Sequence, residues 1–240
     1  MYSFQSRIRY SEIGLDGRLT LESLLDYYQD CSTFHSEDIG LGVEYLKEKH
    51  MVWVLSSWQI VVERYPGLCE NVIISTAPYE FKGFVGYRNF WMETESGERV
   101  SYANSIWSLM DLDKMTPAKP PEEMLTGYAL APKLPMDYAP RKIVIPEGGI
   151  EQEKIQIKMH HLDTNGHVNN GQYVRIAAEY LPKNFQIRQM RAEYKKPAVL
   201  DDNICALVAS SEDQTLYTIS LNGEDGRPYS IIEFMGGHSK

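Results

Sequence analysis

Cysteine is scarce in this 240-residue chain: Cys31, Cys69 and Cys205 lie far apart and form no Cys-x-x-Cys pair. That excludes a disulfide framework and a zinc ribbon and fits reduced thiols. Long apolar runs are also missing, since none approaches the ~18 residues a membrane span needs. The opening Met1–Arg7 shows no basic stretch followed by an apolar one. No secretory signal is expected, and the cytoplasm is the default address. Positive charge is short too, with 24 Lys and Arg against 33 Asp and Glu for a net charge of −9. Nucleic acid is therefore not expected as a partner, because phosphate binding needs a basic face. What the chain does have is a 43% hydrophobic content, enough for a globular core.

The hydrophobic pattern has an order. Residues 2–10 read as a strand, followed by a loop through Gly14, Asp16, Gly17 and Arg18. Leu21, Leu24, Leu25 and Tyr28 then recur at i, i+3, i+4 and i+7, one face of a helix. Gly40 and Gly42 are expected to stop it. Residues 51–64 alternate as a strand, with Val52, Val54, Trp58, Ile60 and Val62 on one face. Further strands are expected near 71–79, 84–94 and 99–111. Residues 113–148 differ in character: seven prolines fall there, from Pro117 to Pro146. Such a stretch reads as a connector, with at most a short helix around 121–128.

Beyond the connector the order repeats. Ile155, Ile157 and Met159 alternate as a strand, and a polar loop follows. Val174, Ala177, Ala178 and Leu181 restore the helical spacing, with Pro182 at its expected end. Strands are expected near 186–196, 203–210, 214–221 and 228–235. Asp16-Gly17-Arg18-Leu19 and Asn165-Gly166-His167-Val168 correspond, 149 residues apart. Repetition at this scale implies a duplicated domain. The expectation is an α+β fold in which each half wraps one long helix with an antiparallel sheet. The division expected is residues 1–125, a proline-rich linker 126–148, and residues 149–240.

The densest polar cluster is His160, His161, Asp163, Asn165, His167, Asn169 and Asn170, between a strand and a helix start. Helix N-termini carry unpaired N–H groups and partial positive charge, suited to a developing oxyanion. Asp163, Asn165 and His167 alternate, so an extended loop points them to one side. A carboxylate, an amide and an imidazole together can orient water and polarise a carbonyl. The competing reading is ordinary helix capping and turn filling. A metal site is a third reading, although the spacing of His160, His161, Asp163 and His167 matches no standard set. The first-half loop holds Asp16, Gly17 and Arg18 but no His or Asn. That asymmetry favours function, since capping would be needed in both copies.

Asp163, Asn165, His167, Val168, Asn169, Asn170 and Tyr173 together resemble the Asp-x-Asn-x-His-Val-Asn-Asn-x-x-Tyr signature of the acyl-acyl carrier protein (acyl-ACP) thioesterases. Arg64-Tyr65-Pro66, the Gly97–Asp111 stretch and Glu193-Tyr194-Lys195-Lys196 also resemble family segments. The resemblance implies two tandem hotdog domains, the second carrying the catalytic loop. It implies a thioester hydrolase of fatty acid biosynthesis that needs no cofactor or metal and takes acyl-phosphopantetheine on acyl carrier protein. Asp163, Asn165 and His167 fall on its catalytic positions. Val168, Asn169, Asn170 and Tyr173 are expected to contact substrate or the oxyanion. Plant members follow the acidic-Tyr-basic-basic segment with Glu-Cys; Pro197 and Ala198 stand there in this chain. A cysteine nucleophile at that place is excluded, Asp163 becomes the leading carboxylate, and Glu193 is a weaker candidate. An acyl-CoA substrate and a non-catalytic acyl-thioester-binding hotdog are the alternatives.

Three further expectations follow. An apolar tunnel would draw on Leu21, Leu24, Leu25, Trp53, Trp58 and Trp107. An acidic carrier would need a local basic patch, for which Arg141, Lys142, Arg188, Arg191, Lys195 and Lys196 are candidates. Two fused hotdogs supply the paired unit internally, so a monomer or a homodimer is expected, with no membrane partner.

Overall fold

The computed structural model describes residues 1–238. The first half runs β1 (Tyr2–Arg7), a 3-10 turn (Tyr10–Glu12), α1 (Leu21–Asp38), α2 (Val43–Glu48), β2 (Met51–Val62), β3 (Asn71–Lys82), β4 (Val85–Thr94), β5 (Arg99–Asp111), the two-residue β6 (Thr116–Pro117) and α3 (Glu122–Gly127). The second half runs β7 (Ile150–Gln156), a 3-10 turn (Met159–His161), α4 (Asn170–Ala178), β8 (Phe185–Tyr194), β9 (Asn203–Ser210), β10 (Leu216–Asn222) and β11 (Pro228–His238). Two compact units result. One comprises Met1–Ser56 and Ile60–Tyr138; the other comprises Ser57–Gln59 and the chain from Ala139 onward.

In the first unit the strand order is β1-β3-β4-β5-β2, with antiparallel pairing of β1 to β3, β3 to β4 and β4 to β5. α1 begins where Thr20 caps it, its Oγ1 accepting the Ser23 N–H at 3.2 Å, one of the orphan donors of a helix start. Its apolar stripe of Leu21, Leu24, Leu25, Tyr28 and Cys31 is buried. The Tyr28 ring lies 5.3 Å from that of Phe90 on β4. The Tyr28 hydroxyl meets that of Ser101 on β5, and Cys31 Sγ reaches the Ile74 carbonyl on β3. The helix therefore spans the sheet face. Gly40, at φ +72°, ends it in a conformation that a side chain would strain.

α2 is an addition to the expected order. Glu37, in the last turn of α1, turns its Oε1 to the Val43 N–H at 2.8 Å, so the end of one helix caps the next. On β4, neighbouring residues face opposite ways. Arg88 and Phe90 face α1, whereas Asn89 faces away and holds part of the proline-rich connector. Asn89 Oδ1 accepts the Leu134 N–H at 3.1 Å and the Tyr138 hydroxyl at 3.0 Å. Its Nδ2 donates to the Ala103 carbonyl at 3.1 Å.

The second unit repeats the order as β7-β9-β10-β11-β8, strand for strand. Its helix is shorter, nine residues against eighteen. α4 stops at Ala178, so Leu181 lies in a turn beyond it rather than on its apolar face. Pro182 is the cause, because proline disfavours helical geometry in the residue before it. Met159, expected in a strand, opens the 3-10 turn instead. Val174 and Ala177 on α4 are buried, as are Met190, Ile219, Ile232 and Phe234 on the sheet.

Candidate active site

The loop between the Met159–His161 turn and α4 is built on a backbone frame that both halves share. The Asp163 N–H donates to the His167 carbonyl at 2.7 Å, and the Gly166 N–H to the Asp163 carbonyl at 3.1 Å. In the first half, Gly14 and Arg18 make the equivalent bond at 2.8 Å, and Gly17 and Gly14 the other at 3.0 Å. Gly166 and Gly17 take φ +75° and +74°, the left-handed region open to glycine. The flanking bridges match too: Leu162 faces Val168 and His167 faces Val199, as Ile13 faces Leu19 and Arg18 faces Gly67. Glycine stands where the second half has Asp163, and the turn still closes. There Asp16 Oδ1 accepts the Arg18 N–H at 3.1 Å, so a carboxylate from a different position does part of the work of Asp163 Oδ1.

Asp163 uses one oxygen for the turn. Its Oδ1 accepts the Asn165 N–H at 2.8 Å and the His167 N–H at 3.1 Å. Its Oδ2 takes no bond among the described residues. The side chains of Asn165 and His167 are exposed, and neither takes a hydrogen-bond partner among the described residues. A carboxylate oxygen, a carboxamide and an imidazole are thus left open on one loop. Asn169 does the capping, its Oδ1 accepting the Gly171 N–H at 2.8 Å. Capping and open functional groups are therefore carried by different residues.

The expected oxyanion donors need correction. The Val168 N–H is already bonded to the Ala198 carbonyl and the Asn169 N–H to the His161 carbonyl, both at 2.9 Å. A donor committed to the frame cannot also receive an oxyanion. The Asn170 N–H, at the first position of α4, takes no partner among the described residues.

Tyr173 lies behind the loop. It is 2% exposed, and its hydroxyl accepts the Ala198 N–H at 2.8 Å, fixing the Pro197–Val199 segment against α4. Tyr194 adds a second tie, its hydroxyl donating to the Asn170 carbonyl at 3.1 Å. Ala198 itself is buried. Glu193 has both oxygens engaged, Oε2 by the Ile143 N–H at 3.0 Å and Oε1 by Lys195 Nζ at 2.5 Å. It holds the connector rather than presenting a free base.

The other expected residues divide as follows. His161 Nδ1 accepts the Lys158 N–H at 3.0 Å. Partial burial, then the neighbouring His160 and Arg175, press its pKa below the usual histidine value. Among the described residues no group of three or more His, Cys, Asp or Glu is placed to hold a metal. In the expected basic patch, Lys195 pairs with Glu193, Lys196 with Asp225 at 2.9 Å and Arg191 with Glu233 at 2.7 Å. Those three cations are neutralised locally. Leu21, Leu24, Leu25 and Trp58 are core. Trp53 packs against Phe81, and Trp107 Nε1 donates to Ser105 Oγ.

Residues 1–128 match the family model of the acyl-ACP thioesterase N-terminal domain, and residues 147–232 that of the C-terminal domain. The chain belongs to the acyl-ACP thioesterase family. Its similarity to individual acyl-ACP thioesterases is modest but long. It is 27% identical to the chloroplastic acyl-acyl-carrier-protein hydrolase FATB3 of Cuphea viscosissima, over 93% of this chain and 59% of that one. It is 23% identical to the chloroplastic oleoyl-acyl carrier protein thioesterase of Coriandrum sativum, over 94% of this chain and 67% of the other. The chain thus spans about three fifths to two thirds of the length of these curated relatives. Among solved structures, an acyl-ACP thioesterase from Bacteroides thetaiotaomicron superposes with a TM-score of 0.89 at 22% identity, covering 98% of this chain and 97% of that one. The 12:0-ACP thioesterase from Umbellularia californica gives 0.87 at 18% identity, covering 99% and 97%. Those likenesses show the fold, two hotdog units in tandem.

Proposed function

We propose that this chain is a thioester hydrolase that releases free fatty acid from acyl-acyl carrier protein by attack of water on the thioester carbonyl. Family membership supports the reaction class. One observation carries the assignment to residues: the Asp163 Oδ2, the Asn165 carboxamide and the His167 ring take no partner on the loop among the described residues, while Asp163 Oδ1 holds the turn.

In this reading Asp163 Oδ2 orients the attacking water and takes its proton, directly or through His167. Asn165 fixes the water or the carbonyl. The Asn170 N–H, at the positive end of α4, and the Asn165 amide receive the oxyanion. The leaving group is a thiolate whose parent thiol has a pKa near ~8.5, so it departs without strong acid assistance. The tetrahedral intermediate collapses to fatty acid and thiol. No side chain forms a covalent bond to the acyl group, consistent with alanine at 198.

The hotdog division into residues 1–125, linker 126–148 and residues 149–240 belongs to the same proposal. So does a cytoplasmic role in fatty acid biosynthesis, as a monomer or homodimer. Three free cysteines, with Cys69 exposed, fit a reducing compartment. Among the described residues no helix is long and apolar enough to cross a membrane.

The test is thiol release from acyl-ACPs of graded chain length, run beside matched acyl-CoAs. Hydrolysis of acyl-ACP by the unmodified chain, lost in Asp163→Ala, is expected. Preference for acyl-CoA would reassign the carrier, and wild-type turnover in Asp163→Ala and His167→Ala would overturn the site.

A further inference from the structure

The first unit holds a buried cation that the loop chemistry does not use. Arg88 on β4 is 8% exposed. Its Nη1 donates to His35 Nδ1 at 2.9 Å and to Thr76 Oγ1 at 3.3 Å, and its guanidinium lies 5.3 Å from the Tyr128 ring centre. Among the described residues no carboxylate acts on it; the titratable groups that do are Tyr128 and the Cys31 thiol, whose pKa burial pushes up to about 12. A buried cation without a counter-charge costs several kcal/mol unless something compensates it.

The neighbours offer Nη1 two neutral acceptors, His35 Nδ1 and Thr76 Oγ1, and otherwise a ring face. Because Arg88 donates to its Nδ1, His35 carries its proton on Nε2. Burial first, and then Arg88, hold His35 down to a pKa of about 4, so it stays neutral at pH 7. Its ring is stacked on Tyr2 at 5.7 Å and meets the edge of Tyr128 at 5.5 Å. The Tyr128 hydroxyl is already bonded to Ser36 Oγ at 2.7 Å. A guanidinium has five N–H donors, and only Nη1 is bonded to a protein acceptor among the described residues. Nε and Nη2 are not among the side-chain atoms that protein seals from water without a partner. They therefore keep some access to solvent while the residue as a whole is buried.

We infer that Arg88, with the Nε2–H of His35, forms a binding site for one small monoanion, a carboxylate by class. The fork of Nε and Nη2 matches two carboxylate oxygens. Two sources share this chemistry: a small solution carboxylate, or the head group of a fatty acid, which is the product under the proposed function. Only the second source rests on that reading; the site itself does not.

The test uses the full chain and two probes, formate and bromide. Formate added at constant ionic strength, balanced with a bulky sulfonate salt, is expected to raise Tm saturably. Arg88→Gln is expected to remove that dependence. Crystals soaked in bromide are expected to show an anomalous peak within hydrogen-bonding reach of Arg88, a readout that needs no variant to fold. Octanoate saturating at lower concentration than formate supports the site with fatty acid as its ligand. Formate binding as well or better supports it with a small solution anion. No bromide peak at Arg88, or a formate response unchanged in Arg88→Gln, overturns the inference. Neither readout involves hydrolysis, so failure here is distinct from failure of the proposed reaction.

Discussion

Replacing Asp163 with asparagine separates the two tasks of that side chain. Asparagine keeps an Oδ1 that can accept the Asn165 and His167 N–H groups, now held at 2.8 and 3.1 Å. It removes the charged oxygen that no protein group binds. Stability should therefore stay within about 0.5 kcal/mol of the parent. Turnover should fall by about 10²–10⁴, the usual contribution of a positioned base, which is roughly 3–5 kcal/mol of barrier. Asp163→Ala removes both turn bonds as well, at about 0.5–1.5 kcal/mol each. Its Tm should drop by about 2–4 °C per kcal/mol for a chain of this size. The assay pairs thermal unfolding with thiol release from acyl-ACP at saturating substrate. An Asp163→Asn protein with parental Tm and parental kcat would refute the reasoning. So would activity in the two variants that simply follows their Tm values.

The remaining expectations concern the frame around the loop and the first unit. Tyr173→Phe leaves the buried Ala198 N–H unpaired and should cost about 1–3 kcal/mol, read by urea unfolding; an unchanged midpoint would contradict the tie drawn between α4 and the 197–199 segment. Asn89→Ala removes the acceptor for Leu134 and Tyr138 and should speed proteolysis between residues 129 and 138 without abolishing the fold; parental cleavage rates would show that the connector is held elsewhere. His35 has a folded pKa of about 4 against ~6.5 unfolded. Its unfolded form takes up a proton first, so stability should fall by about 2–3 kcal/mol as pH drops from about 7 to 4. The difference between the parent and His35→Gln across that range isolates the effect, and parallel curves would refute it.

The proline-rich connector shows where reading the chain stopped. Its composition excluded a long regular element and allowed a short helix around 121–128, where α3 stands. Which residues hold it was not legible. Asn89 and Glu193 lie some 45–50 residues from their connector partners, and nothing local in either strand marks a buried amide or carboxylate as an anchor. Part of the basic patch was illegible for a related reason: Lys196 and Arg191 read as free cations until Asp225 and Glu233 fold beside them. Leu181 shows the reverse, since the adjacent Pro182 was visible and its effect on the helix end was placed one turn too late.

The sequence by itself determined the period of each element, the duplication, and the motif from Asp163 to Tyr173. These are local or strictly repeated patterns, governed by side-chain spacing and turn chemistry. Only the tertiary structure decided which of those motif residues are open. Val168, Asn169 and Tyr173 look as available as Asp163 in a string of letters. The Val168 and Asn169 N–H groups are taken by the Ala198 and His161 carbonyls, and the Tyr173 hydroxyl by the Ala198 N–H, partners that lie beside them only once the loop, the 3-10 turn and the 197–199 segment meet. The same holds for Arg88, an ordinary strand arginine until α1 closes over it, because hydrogen-bond occupancy and burial of charge depend on neighbours brought by the fold.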